Sequence, residues 1–433
     1  MSNRAFVSFP VSDLYKIKQQ VLNWSARFNT CCFLDNQQYK SANHSFECIA
    51  AVGEKSRLSA SSGNAFDQLK QYSAEQNDWL FGHFSFDLKT ETESVPSHLP
   101  DFIGFPDLFF FIPEIIILLN HERLSIGLLQ NNHDQILQEI LDSPVEAEVK
   151  RQDPVTIRPR LPKAEYIRTI ERLKEHILRG DCYEINFCQE FYAEQVTVDP
   201  LRLFQLLNRV SPSPFSAYYT VDGRFLLCAS PERYLKRSGS LILSQPIKGT
   251  APRDLRNKQQ DEKLKRDLYN SEKDRAENVM IVDLVRNDLS RICKTDTVKV
   301  EELFGIYSFP QVHQMISTIR GRLKDGLDWT EMISSTFPMG SMTGAPKKRV
   351  LQLTEQYEKS KRGLFSGAVG YVKPNQDFDF NVVIRSLLYN QPDRYLAYFA
   401  GSGITTGSDP ENEYEECLVK IAALTEILIK NPA

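Results

Sequence analysis

DPLRLFQLLNRVSPSPFSAYYTVDGRFLLCAS, residues 199–230, carries the pattern that decides the fold. Asp199 is a helix N-cap residue, and Pro200 suits the first helical position, where its missing N–H is no loss. Together they predict a helix running to about residue 210. The apolar stretches 215–221 and 224–230 then read as two strands. Upstream, Tyr166, Ile170, Leu173 and Ile177 recur at helical spacing up to Gly180. Residues 182–194 alternate as a strand, with Tyr183, Ile185 and Phe187 on one face. Downstream lie a long charged helical stretch at 257–292, further strands and a closing helix at 410–429. Strands in consecutive groups with helices between them predict an α+β architecture rather than a regular βαβ sheet.

The 433 residues are 41% hydrophobic and 25% charged, enough for a large core. A net charge of −4 gives no basis for binding nucleic acid or an anionic membrane. The most apolar run, DLFFFIPEIIILLN at 107–120, is too short and interrupted to span a bilayer and reads as two buried strands. The Met1 end lacks a secretory pattern, and eight scattered cysteines form no zinc spacing. Both point to the cytoplasm and reduced thiols. Residues 143–163, with four prolines, read as a connector between an N-terminal region, 1–142, and a C-terminal region, 164–433.

The chemistry-bearing motifs fall in the C-terminal region. PIKGTAPR at 246–253 sets Lys248 beside Gly249 and Thr250. Gly249 admits a ligand against the backbone, and a shielded lysine there is expected to lose its proton near neutral pH. Asp274 and Glu277 share one helix face, as do Glu413 and Glu416, so two helices can offer acid pairs to one point. Such an oxygen-rich set suits Mg²⁺. Glu232, in SPERYL at 230–235, follows an apolar strand and is a candidate general acid. GSMTGAPKKR at 340–349 and AGSGITTGSDPENE at 400–413 are glycine-rich bends able to hold an anion. Arg385, in VVIRSLL, is a charge inside an otherwise apolar strand and wants a carboxylate partner. His313, in QVHQMI, has apolar neighbours and reads by itself as a structural histidine.

SPER, PIKGTAPR, AENVMIVDLVRNDLSRIC, GSMTGAPKKRV, GAVGYV, VIRSLL and AGSGIT, in this order, resemble the chorismate-utilising enzymes over about 160–430. The resemblance implies two packed antiparallel β-sheets with helices outside. It implies chorismate as substrate, Glu277 and Glu416 as Mg²⁺ ligands, and Asp274 and Glu413 acting through water. It makes Glu232 the general acid and places His313 near the substrate ring. Gly249, Thr250, Thr343, Tyr371, Arg385, Gly403 and Lys420 are implied substrate contacts. Lys248 stands where the anthranilate, isochorismate and salicylate branches carry alanine and the aminodeoxychorismate branch carries lysine. That lysine implies a covalent route to chorismate amination, in a Mg²⁺-dependent transferase serving 4-aminobenzoate and folate synthesis. The alternative is the anthranilate branch of tryptophan synthesis, and a non-catalytic scaffold is disfavoured by the intact acids. Glu184 replaces the base lysine of water-using branches. No G-x-C-x-G elbow is present, so a glutamine amidotransferase subunit is the expected ammonia source, and a separate lyase the expected next enzyme. In some members a stretch matching Phe33-Leu34-Asp35-Asn36 holds tryptophan; the match here is partial.

Overall fold

The computed structural model describes residues 4–39, 44–146, 155–309 and 312–429. Within the connector at 143–163, residues 147–154 lie outside the described residues. The described strands form two antiparallel sheets, of twelve and ten strands. The larger contains both strands of the opening stretch, Phe215–Val221 and Arg224–Ser230, paired to each other at the bounds read from sequence. Its helix is Pro200–Val210, with the Asp199 carboxylate accepting from the Arg202 N–H.

Alternation along one strand explains how the layers stack. Leu226 and Cys228 enter the core between the sheets, whereas Leu227 and Ala229 enter a second core beneath helices Lys163–Leu178, Pro200–Val210 and Pro410–Ile429. Burial on both faces is why this strand reads as a continuous apolar run. The run at 107–120 is two strands, Leu108–Ile112 in the smaller sheet and Ile115–Leu119 in the larger. Strands from the N-terminal region complete both sheets: Cys31–Asp35 pairs with Phe215–Val221, and Leu80–Phe84 with Ala368–Val372. Among the described residues no helix is long and apolar enough to cross a membrane, and all eight cysteines are free and buried.

Two local expectations need correction. Tyr183 is 72% exposed and precedes the strand Glu184–Ala193, so it shares no buried face with Ile185 and Phe187. The stretch 257–292 is two helices, Lys258–Asn270 and Glu272–Ile292. They break at Ser271, whose hydroxyl accepts from the Asp274 N–H as an N-cap.

One buried arginine ties the elements around the site. Arg362 forks onto Glu358, with its closest contact at 2.6 Å, and donates to the carbonyls of Met342 and Asn186, both at 2.8 Å. The Cys188 N–H also donates to Glu358. Removing only the arginine leaves a buried carboxylate without its counter-charge, which costs about 3–5 kcal/mol. Arg362→Met should therefore lower the unfolding free energy by that amount in an equilibrium denaturant titration.

Candidate active site

The site lies where the chain crosses from one sheet to the other. Arg224–Ser230 belongs to the larger sheet and Arg233–Ser238 to the smaller, so Glu232 sits in a two-residue link. Phe378–Asn381 and Ser386–Asn390 make the same crossing in reverse, with Arg385 in the link. The links run together: the Val382 N–H donates to the Glu232 carbonyl at 3.0 Å, and the Ala229 N–H to the Arg385 carbonyl at 3.2 Å. Arg385 was expected within a strand. It instead occupies a half-buried bend at φ +51°, a region uncommon for residues other than glycine. The bend turns its charge toward Glu232 and Tyr39. Burial lowers the guanidinium to about 10 in spite of both partners.

Glu232 is 3% exposed. Burial pushes its carboxyl up to about 7, against a hydrogen bond from Ser341, the charge of Lys248 and the Ile247 N–H. At neutral pH this carboxyl therefore holds a proton for part of the time, as a general acid must.

Lys248 is on Ile247–Pro252, an edge strand of the smaller sheet. Its Nζ lies 2.7 Å from Glu184 Oε1, on Glu184–Ala193 of the larger sheet, and 3.9 Å from Glu277 Oε2. Burial favours the neutral amine, but Glu184, Glu277 and Glu416 outweigh it and hold the ammonium above the usual lysine range. The expected easy loss of the proton is thus overturned. The reason is a carboxylate 64 residues away in sequence, invisible to local reading. Glu184 is 1% exposed, and its Oε2 has no hydrogen-bond partner among the described residues.

Gly403 floors this pair. A Cβ there would stand 2.6 Å from Glu184 Oε1 and 2.7 Å from Lys248 Nζ. Both atoms end flexible side chains, so Gly403→Ala should fold while displacing the pair. Displacement on the scale of 1 Å costs about a hundredfold in rate. Steady-state turnover of Gly403→Ala should fall by about that factor with an unchanged melting profile. Gly249, at φ +92°, lies against Asp274, where a Cβ would approach Oδ1 to 3.0 Å.

Glu277 is pushed up to about 7 by burial and the nearby Glu184, against the pull of Lys248. Burial would raise Glu416 too, but the Lys420 ammonium at 2.7 Å outweighs it and lowers the group. Lys420 also donates to the Gly401 carbonyl at 2.8 Å. Glu413 is 2% exposed. Lys273, missed in the sequence, stands 3.9 Å from Glu277 Oε1 and 3.6 Å from Glu413 Oε1. Its signal was its place one residue before Asp274, at i−4 from Glu277. Among the described residues no three acidic, histidine or cysteine side chains converge as a metal cluster. Yet Glu277 Oε1 and Glu413 Oε2 are buried without hydrogen-bond partners among the described residues, and such oxygen donors fit a hard divalent cation.

The remaining residues divide. Thr250 is exposed beside Lys248. Thr343 is buried, and its hydroxyl donates to the Met339 and Gly340 carbonyls while its own carbonyl accepts from the Asn186 N–H. His313 pairs in register with Ala251, and its ring nitrogens meet Asp261 at 3.1 Å and Ser308 at 2.9 Å. It ties helix Lys258–Asn270 to the Lys248 strand. Tyr371 is not brought to Lys248. It packs on Phe46, Trp79 and Phe81 and lines a separate cavity of about 60 Å³ with Leu34, Asp35 and Asn36. Asp35 is held there by Lys18 at 3.0 Å.

A model of the chorismate binding enzymes matches residues 29–426. Aminodeoxychorismate synthase component 1 of Escherichia coli (strain K12) is 34% identical over 353 residues, covering 81% of this chain and 76% of that protein. Anthranilate synthase component 1 of Acetivibrio thermocellus is 29% identical over 375 residues, covering 81% and 75%. Anthranilate synthase component I from Streptococcus pneumoniae TIGR4 superposes at a TM-score of 0.78 with 25% identity, covering 90% of this chain and 94% of that one. The two packed sheets, the ordered motifs and the family match agree: this chain belongs to the chorismate binding enzymes and is a chorismate-utilising enzyme.

Proposed function

We propose that the chain is the aminating component of an aminodeoxychorismate synthase, converting chorismate and ammonia to 4-amino-4-deoxychorismate for 4-aminobenzoate and folate synthesis. The observation that carries this reading is Lys248, set 2.7 Å from a buried Glu184 and in the field of a buried, proton-holding Glu232. Relatives in Escherichia coli and Bacillus subtilis, 34% and 31% identical, bear the name aminodeoxychorismate synthase component 1. The words "component 1" support a second component, which we assign as a glutamine amidotransferase supplying ammonia.

The proposed chemistry balances within the site. Glu184 takes a proton from the Lys248 ammonium, and the freed Nζ adds at C2 of chorismate as the ring double bonds migrate. The C4–O bond breaks, and Glu232 gives its proton to the departing hydroxyl, which leaves as water. Ammonia then adds at C4, the double bonds migrate back and the Nζ–C2 bond breaks. The Glu232 carboxylate takes the proton released by the new C4 amine, and Glu184 returns its proton to Lys248. Each group ends as it began. Glu277 and Glu416 would hold Mg²⁺ directly, and Asp274 and Glu413 through water; bound there, the ion supplies positive charge for a substrate carboxylate. Arg385, Gly249, Gly403, Thr250 and Lys420 are assigned to the substrate's polar groups.

Mass spectrometry of the intact protein tests the covalent route. Chorismate without ammonium should add the mass of chorismate less one water, mapped to the peptide containing Lys248. Turnover to the aminated product with no such adduct under rapid quench would remove the lysine route.

A further inference from the structure

Besides Glu232, four glutamates and three lysines share the site, and their pairing is uneven. Lys248 holds Glu184 at 2.7 Å, and Lys420 holds Glu416 at 2.7 Å. Glu277 and Glu413 are left to Lys273, at 3.9 and 3.6 Å, with Lys248 a further 3.9 Å contact on Glu277. Those separations give charge attraction without a hydrogen bond. One oxygen of each acid, Glu277 Oε1 and Glu413 Oε2, is buried and has no hydrogen-bond partner among the described residues. An isolated pair of buried carboxylates is costly unless compensated. Lys273 supplies that compensation from a side chain that is 57% exposed, in the first turn of Glu272–Ile292. Its long stem is free to swing outward, unlike the stem of Lys248, whose side chain is 13% exposed.

We infer that Lys273 is a built-in competitor of the divalent cation, filling the gap between Glu277 and Glu413 when no ion is bound and swinging into solvent when one enters. The inference rests on the metal assignment proposed above. A tethered ammonium keeps the acids from repelling one another, yet it cannot satisfy the oxygens that remain without hydrogen bonds. A hydrated dication can do both. Lys273 therefore sets a threshold for ion binding that the glutamates alone would not have.

The test is calorimetric titration of Mg²⁺ into the full chain without chorismate, for wild type, Lys273→Met and Lys273→Arg. Lys273→Met should bind about tenfold more tightly, as expected for removing one half-exposed cation from beside the two acids, with a difference that shrinks as salt is raised. It should also melt lower than wild type without the ion and gain more on adding it. Lys273→Arg keeps the charge and should bind like wild type. Equal or weaker binding by Lys273→Met overturns the inference alone. Absence of Mg²⁺ binding by all three proteins overturns the metal assignment and the inference together.

Discussion

Lys248→Ala is expected to reduce chorismate amination by about a thousandfold, equivalent to about 4 kcal/mol on the barrier, and to abolish the covalent adduct. The substitution removes the nucleophile and also leaves Glu184, 1% exposed, without its 2.7 Å partner. Lys248→Arg separates the two effects. A guanidinium preserves the charge opposite Glu184 but stays protonated and cannot add to carbon. Comparable losses in both variants, measured as steady-state rates at saturating chorismate, place the effect in bond formation. Activity retained in Lys248→Arg would assign the lysine a purely electrostatic role.

Glu232→Gln should lower the rate by about a hundredfold to ten-thousandfold, the range for removing a positioned general acid. The pH dependence should carry the same signature. The carboxyl of Glu232 is raised to about 7, so its protonated form persists through mildly acidic pH and is lost as pH rises through that value. In wild type, kcat/KM should therefore fall by about tenfold per unit above roughly pH 7, since it reports groups of the free enzyme. In Glu232→Gln that alkaline limb should vanish. A limb that persists unchanged would move the acid role to another group.

Much of the frame is legible locally. The Asp199-Pro200 helix start and the strands 215–221 and 224–230 need only capping and apolar runs, and they lie as read. The acid pairs are legible because three-residue spacing on a helix fixes a common face. Failures arise where tertiary contact overrides local pattern. The apolar neighbours of Arg385 suggest a strand, but the chain bends there to cross between sheets. Tyr183 fits the alternation by position, yet it lies outside the strand and is exposed. The break at Ser271 carried a capping signal, Ser followed three residues later by Asp274, hidden within a run of charge. The charge state of Lys248 was beyond sequence reading because it depends on Glu184 in the opposite sheet. Tyr371 shows the limit of motif transfer: its strand is central, but its side chain faces the Asp35 cavity rather than Lys248.

The most direct measurement is the mass of the product formed when the purified chain is incubated with chorismate, Mg²⁺ and ammonium. The expected product is chorismate with one hydroxyl replaced by an amine and the pyruvyl group retained. Anthranilate with free pyruvate would contradict it and place the chain in the branch that Lys248 argues against.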